Sequence, residues 1–191
     1  MAVAILSPRT ARLYGRTPAS GNMPGAARTI RSTGELMPLG TSYIVKTIRL
    51  LAIENAIFDA ACEALGGLER AQLMQEAVLF EAFRLGVRFS ASPPPPLESP
   101  WPYLPERGEE VTDVRTSISM RVTVAELMSV AAGHVNASET LFIVGATLAY
   151  VGRLQSCYRG VYAASSDDAR ATRAALRKIR LPPRYRYRAA K

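Results

Sequence analysis

The stretch Ser117-Ile118-Ser119-Met120-Arg121-Val122 alternates residue by residue. It places Ile118, Met120 and Val122 on one face and Ser117, Ser119 and Arg121 on the other, as a half-buried strand does. An isolated strand can neither satisfy its backbone nor cover its apolar face, so the chain has to supply a partner. A second alternating stretch is Thr47-Ile48-Arg49-Leu50, with Ile48 and Leu50 on one side and Thr47 and Arg49 on the other. Leu51 then falls on the polar side.

Each strand is followed by two helical patterns. After the first, Ile57, Ala60, Ala61, Ala64 and Leu65 form an apolar stripe over 54–65, Gly66-Gly67 interrupts it, and Leu73, Ala77, Phe80 and Leu85 mark a second helix over 69–85. After the second strand, Thr123 with Glu126 three residues on reads as a capping box that starts a short helix at 124–132, which Gly133 stops. Asn136 and Ser138 offer N-caps to a further helix carrying Leu141, Phe142, Val144 and Leu148, running to about Arg153 or beyond. Strand–helix–turn–helix therefore occurs twice. Pairing the two strands antiparallel over four helices makes one mainly α domain from two half-units, 43–86 and 116–155. Between them, residues 87–115 carry Pro93–Pro96 and Pro100-Trp101-Pro102-Tyr103-Leu104-Pro105 and read as an extended, semi-rigid linker. Trp101 is expected to staple that linker to its own domain; the competing reading is a motif for a Pro-binding partner.

Charge divides the chain differently. The net charge is +8 over 191 residues, yet residues 47–115 are net acidic and 116–155 are balanced. The excess lies in residues 1–46, with six basic residues and one acidic, and in residues 156–191, with ten against two. Two basic arms on near-neutral or acidic segments suit a polyanionic partner, because Lys and Arg that neutralise phosphates release counterions. The first arm, 1–42, is broken by Pro8, Pro18, Pro24, Gly15, Gly21 and Gly25 and reads as flexible. Its scarcity of acid also resembles an organellar transit segment, the alternative to a cytoplasmic location; Ala2–Leu6 is too short for a secretory h-region. No apolar run reaches membrane-spanning length, so no membrane partner is expected. The second arm, 156–191, contains a helix beginning at Ser165 or Ser166, with Asp167 and Asp168 at its start and Arg177, Lys178 and Arg180 at its end, as the helix dipole favours. Pro182-Pro183 ends it, and Arg184-Tyr185-Arg186-Tyr187-Arg188 interleaves cations with rings that can meet phosphates and stack on bases.

A strand, a helix, a turn and a helix, with the strand alternating polar and apolar residues, resembles the ribbon-helix-helix family of DNA-binding proteins. The matching stretches are Tyr43–Gly86 and Thr116–Leu154. In that family two chains pair their strands into a ribbon that enters the major groove; two copies in one chain imply an intramolecular pseudo-dimer. By position, the resemblance makes Thr47, Arg49, Ser117, Ser119 and Arg121 the base-reading side chains and brings the starts of the second helices, 68–70 and 136–139, to the phosphates. The chain departs from the family in three places. Glu69 stands where a Ser or Thr cap is usual, Leu51 replaces a polar ribbon residue, and 124–132 is about one turn shorter than the family's first helix.

Catalytic readings find little support. The chain contains no phosphate-binding glycine loop, no H-E-x-x-H and no C-x-x-C. Its two cysteines, Cys62 and Cys157, lie far apart and its one histidine, His134, has no ligand neighbour in a turn. No cofactor or metal is expected. The sequence points to a non-enzymatic protein that reads double-stranded DNA, with RNA as the other candidate, using a ribbon, and that holds phosphates with its basic ends: Arg177, Lys178, Arg180, Arg184, Arg186 and Arg188. Transcription regulation, or assembly of a conjugation or partition complex, is the context this implies. On that reading, removing 177–191 should weaken binding to every sequence alike. The alternative is a structural subunit of a ribonucleoprotein or viral particle, with self-association or a larger protein assembly. A third, a protein–protein adaptor, rests on the Pro-rich linker.

Overall fold

The computed structural model describes residues 42–89, 92, 94–107 and 114–186. The expectations for the N-terminal arm, and those for Tyr187 and Arg188, lie outside these residues. The described chain is mainly helical with a two-stranded antiparallel sheet, as expected. In order it forms β1 (Tyr43–Leu50), α1 (Ala52–Ala64), α2 (Arg70–Arg84), β2 (Val114–Arg121), α3 (Val122–His134), α4 (Glu139–Cys157), α5 (Ser166–Lys178) and a 3₁₀ turn, Pro183–Tyr185.

β1 and β2 pair with Tyr43 opposite Arg121, Thr47 opposite Ser117 and Leu50 opposite Val114. This register sends Ile48, Leu50, Ile118 and Met120 inward, where all four are buried. Beneath them lie Ile57, Phe58 and Ala61 of α1, Leu73, Met74 and Val78 of α2, Leu127, Met128 and Ala131 of α3, and Phe142, Ile143 and Val151 of α4, in one continuous core. α4 is buried almost all round, since α1, α2, α3 and α5 all pack on it.

Several local expectations are corrected. Leu51 is not a ribbon residue: the strand ends at Leu50, and Leu51 is the N-cap of α1, its N–H donating to Glu54 Oε2 at 2.8 Å. The reach-back that a capping box requires is thus made in the first half, and the Thr123–Glu126 pair forms none. α3 starts at Val122, so Thr123 already lies inside it. The turn into α3 is held from outside, by the Val122 N–H bonded to the Ser42 carbonyl at 3.0 Å. α3 passes through Gly133, and Asn136, with φ 54°, takes the left-handed position after the helix. At 13 residues α3 equals α1, so the expected shortening is absent. His134, expected in a turn, is the last residue of α3 and is buried. Of the two proposed caps for α4, Ser138 acts, accepting the Leu141 N–H at 3.3 Å.

The segment between the halves is docked rather than extended over its described part. Leu97 N–H donates to the His134 carbonyl at 2.8 Å. Trp101 is 2% exposed, stacks on Phe142 with centroids 5.1 Å apart, and donates its indole N–H to Glu81 Oε1 at 2.8 Å. Glu81, itself buried, also accepts two hydrogen bonds from Arg84 at 2.9 and 2.5 Å. The staple reading of Trp101 therefore holds, and the ring is not displayed to a Pro-binding partner. Its seat depends on Gly145 of α4. A Cβ there would lie 2.3 Å from the Tyr103 carbonyl oxygen and 2.8 Å from the Trp101 ring.

The C-terminal segment also belongs to the core. α5 is capped by Ser165, whose hydroxyl accepts the Asp168 N–H at 3.1 Å. Leu176, Leu181 and Tyr185 are buried, and Gln155 of α4 donates to the carbonyls of Leu176 and Ile179 at 3.0 and 2.7 Å. Through Arg186 this is a packed element carrying basic side chains on its outside. Deleting 177–191 would strip Leu181 and Tyr185 from the core, so that truncation cannot isolate phosphate affinity. Where α2 meets α4, Glu76 accepts hydrogen bonds from Tyr150 at 3.3 Å and from Tyr162. Burial holds its carboxyl above the ordinary range, against hydrogen bonds from Gln72 and Tyr150 that pull it down.

Gly145→Ala should lower stability by about 1–3 kcal/mol through forced displacement of the Trp101 segment. Gly133→Ala, whose Cβ meets nothing within 4 Å, should be neutral or gain up to about 1 kcal/mol from helix propensity; urea melts of both variants measure the contrast. For Glu76, the raised folded-state pKa means its stabilising contribution is complete below the ordinary carboxyl pKa and is lost as pH rises through the elevated one. Glu76→Gln should therefore raise the melting temperature at pH 7.5, with the gain shrinking toward pH 4 in a thermal-melt series.

Candidate nucleic-acid interface

The outward face of the ribbon follows from the same register that buries its inner face. Tyr43, Val45, Thr47 and Arg49 of β1 and Arg115, Ser117, Ser119 and Arg121 of β2 are all exposed. They meet across the strands as Tyr43–Arg121, Val45–Ser119, Thr47–Ser117 and Arg49–Arg115. Among the described residues no carboxylate stands on this face. Three of its eight side chains are guanidinium groups, three are hydroxyls, and the Thr47 and Ser117 oxygens lie 3.5 Å apart at its centre. Arg49 and Arg115 oppose each other directly, a like-charge pair that a ribbon on its own would avoid.

Neighbouring charges are quenched within the fold while those on the face are left open. Lys46, on the inner side of β1, pairs with Glu139 of α4 at 2.7 Å. Arg107 reaches the end of the ribbon, donating to the Arg49 carbonyl and to Glu54 Oε2, each at 2.9 Å. Arg70 pairs with Asp59 and also meets Asn55 at 2.8 Å and Thr116 at 3.5 Å. Gln75 holds the edge of β2, donating to the Ser119 carbonyl at 3.3 Å and accepting the Arg121 N–H at 3.1 Å. The side chains of Arg49, Arg115 and Arg121 have no acceptor among the described residues.

The five ribbon residues expected from the sequence, Thr47, Arg49, Ser117, Ser119 and Arg121, thus share one exposed face. Tyr43, Val45 and Arg115 join them and were not singled out by the alternation. For Arg115 a signal existed: carrying the alternation back to Val114 puts Arg115 in phase with Ser117. Tyr43 and Val45 were hidden because Lys46 occupies an inward position that reads as polar and outward. The basic residues of the C-terminal segment do not reach this face as a loose tail would. Arg177, Lys178, Arg180, Arg184 and Arg186 are exposed on the docked segment. Arg184 is paired with Glu106 at 2.7 Å, Arg186 Nε donates to the Leu181 carbonyl at 3.1 Å, and the Tyr185 ring between them is buried and cannot stack on a base. Arg188 lies outside the described residues.

The starts of the second helices offer less to a phosphate than expected. Glu69 precedes α2 as its N-cap without a side-chain cap bond, and Glu139 opens α4, so each start carries a carboxylate. Among the described residues no group of three or more His, Cys, Asp or Glu could hold a metal ion. Burial pushes the Cys62 thiol up, away from the reactive thiolate. No single described helix is long and apolar enough to cross a membrane; α3 and α4, apolar enough as a pair, meet at 95°. Compared with known proteins, the chain matches no family model, no curated protein and no solved structure.

Proposed function

We propose that this chain is a non-enzymatic DNA-binding protein that reads duplex DNA with the outer face of β1 and β2, acting as an intramolecular counterpart of a ribbon-helix-helix dimer. The observation that carries the reading is the composition of that face: among the described residues it holds guanidinium groups without an acceptor, hydroxyls and no acid, in a two-stranded ribbon of the width a major groove admits. Arg makes bidentate bonds to guanine, Ser and Thr serve several bases, and Val45 suits a thymine methyl. Transcription regulation or assembly of a plasmid conjugation or partition complex is the process such a reader would serve.

The pseudo-dimer reading draws support from a repeat in the fold. α1 and α3 begin and end 70 residues apart, and the central ribbon pair, Thr47 and Ser117, has the same spacing. Three bonds of the turns that follow repeat at the same spacing: Leu65 to Ala61, Gly66 to Glu63 and Gly67 to Cys62 correspond to Val135 to Ala131, Asn136 to Gly133 and Ala137 to Ala132. A pseudo-twofold axis through Thr47–Ser117 relates Val45 to Arg115 and Arg49 to Ser119. These are chemically different pairs, so the preferred DNA site is not a palindrome.

A second reading, a structural subunit of a ribonucleoprotein or viral particle, draws on the exposed edge-to-face pair Phe83–Phe89, with centroids 5.7 Å apart, which would suit a protein neighbour. Sizing chromatography separates the two, because a regulator elutes as a small species and a subunit co-purifies with a particle.

The expected result is a salt-sensitive gel shift of duplex DNA. Arg121→Ala and Arg49→Ala should each cost about 1–3 kcal/mol on the preferred site, the range for one bidentate base contact, with much less effect on unrelated duplexes. Equal affinity of the wild type and both variants for every duplex would falsify the ribbon reading.

A further inference from the structure

A second basic feature lies far from the ribbon. α4 begins at Glu139, whose carboxylate meets Lys46 of β1, and its 19 residues extend about 27 Å to Cys157. At that far end, the chain turning out of α4 and one face of α5 enclose an open cleft of about 310 Å³ lined by Ser156, Cys157, Tyr158, Arg159, Arg173 and Arg177. Three of its six lining residues are arginines and none is acidic.

The helix C-terminus there attracts cations to its free carbonyls, but one guanidinium already meets that demand: Arg173 Nη2 donates to the Tyr158 carbonyl at 2.8 Å. That bond also fixes Arg173 in the cleft wall. Arg159 and Arg177 are exposed and have no acceptor among the described residues. Arg173 and Arg177 stand four apart on α5, where like charges repel. The helix's own acids do not relieve them: Asp167 and Asp168 are in its first turn, and Asp167 faces Arg170 at 3.6 Å. Three guanidinium groups around a cleft without a counter-charge call for a ligand that carries several acceptor oxygens. Phosphate is that ligand, because planar guanidinium forks bind its oxygens in pairs.

We propose that this cleft is a phosphate-binding site, with Arg173 as its fixed wall and Arg159 and Arg177 as the groups that close on the anion. It is separate from the ribbon and does not depend on the ribbon reading bases. The phosphate comes either from a free, compact phosphate compound or from the backbone of a nucleic-acid strand.

The test uses the full chain with Arg49→Ala, Arg115→Ala and Arg121→Ala, which removes the ribbon's cations, and compares it with the same chain also carrying Arg159→Gln and Arg177→Gln. The probes are inorganic pyrophosphate, followed by calorimetry, and a fluorescein-labelled twelve-nucleotide thymidine strand, followed by anisotropy. The parent should bind at least one probe, and the two Gln substitutions should weaken that binding at least tenfold. If the source is a strand, the parent binds the oligonucleotide with a log–log salt slope that the substitutions reduce by about 1.4, or ~0.7 for each phosphate no longer neutralised. If the source is a compact phosphate, pyrophosphate binds and the oligonucleotide does not. Failure of the parent to bind either probe overturns the proposal, as does binding within twofold after the Gln substitutions. Both Gln positions are exposed and unpartnered, and coincident thermal melts of the two chains establish that folding is unchanged. The fate of the ribbon reading is settled separately, by the duplex gel shifts of chains with an intact cleft.

Discussion

Everything in this molecule hangs on one backbone pairing between strands that lie far apart in the chain. Among the described residues β1 and β2 have no other strand neighbour in the sheet, so each depends on the other for its ladder hydrogen bonds. Their register decides which side chains go down and which stay up. With Thr47 opposite Ser117, Ile48, Leu50, Ile118 and Met120 close over the helices while the arginines and hydroxyls remain in solvent. A slip of one residue on either strand would invert that strand, turning Arg49 or Arg121 toward the apolar core and lifting isoleucine into water. Core and candidate interface are thus two sides of a single constraint.

That constraint also accounts for the asymmetry of the remaining structure. The strand pairing leaves flanks of α2 and α4 to be covered, and the chain covers them by different means. One flank receives the Trp101 segment, seated against Gly145 and anchored on Glu81. The other receives the turn after α4, where Tyr162 and Tyr150 converge on Glu76. Each solution uses a carboxylate of α2 as an anchor for aromatic donors, the buried Glu81 for Trp101 and the half-buried Glu76 for the two tyrosines. The C-terminal segment then closes over the start of α1, where Tyr185 is buried, and Arg184 ties it to Glu106 of the intervening segment.

The sequence made the repeating strand and helix pattern legible because that pattern is local: period two in 117–121, period 3.6 beneath it. What it concealed are features set by distant partners. Lys46 looks like an outward ribbon residue until Glu139, 93 residues away, is seen beside it. Glu54 looks like an ordinary first-turn acid until its bonds to the Leu51 N–H and Arg107 explain why it is buried. Thr123–Glu126 has the spacing of a cap, yet Ser42 fixes the turn and the helix begins earlier. The C-terminal segment misled for a related reason. Its composition is that of a basic arm, and a few well-spaced apolar residues, Leu176, Leu181 and Tyr185, suffice to bind it to the core while its charges face outward. On the candidate interface Arg49 and Arg121 were readable from the alternation; that they have no acceptor among the described residues was not.

The distance along the chain between the two strands has a consequence for how the protein comes to be. From Leu50 to Arg121 there are 71 residues; at about 5–20 residues per second of synthesis, β1 waits roughly 4–14 s for its partner to be made. During that interval Ile48 and Leu50 have helices to rest on but the strand's hydrogen-bonding edge is open. The partner it lacks is identical in every copy of the chain, so a β2 from a neighbouring nascent molecule satisfies it as well as its own. Neighbouring ribosomes on one message therefore set the conditions under which two chains exchange halves.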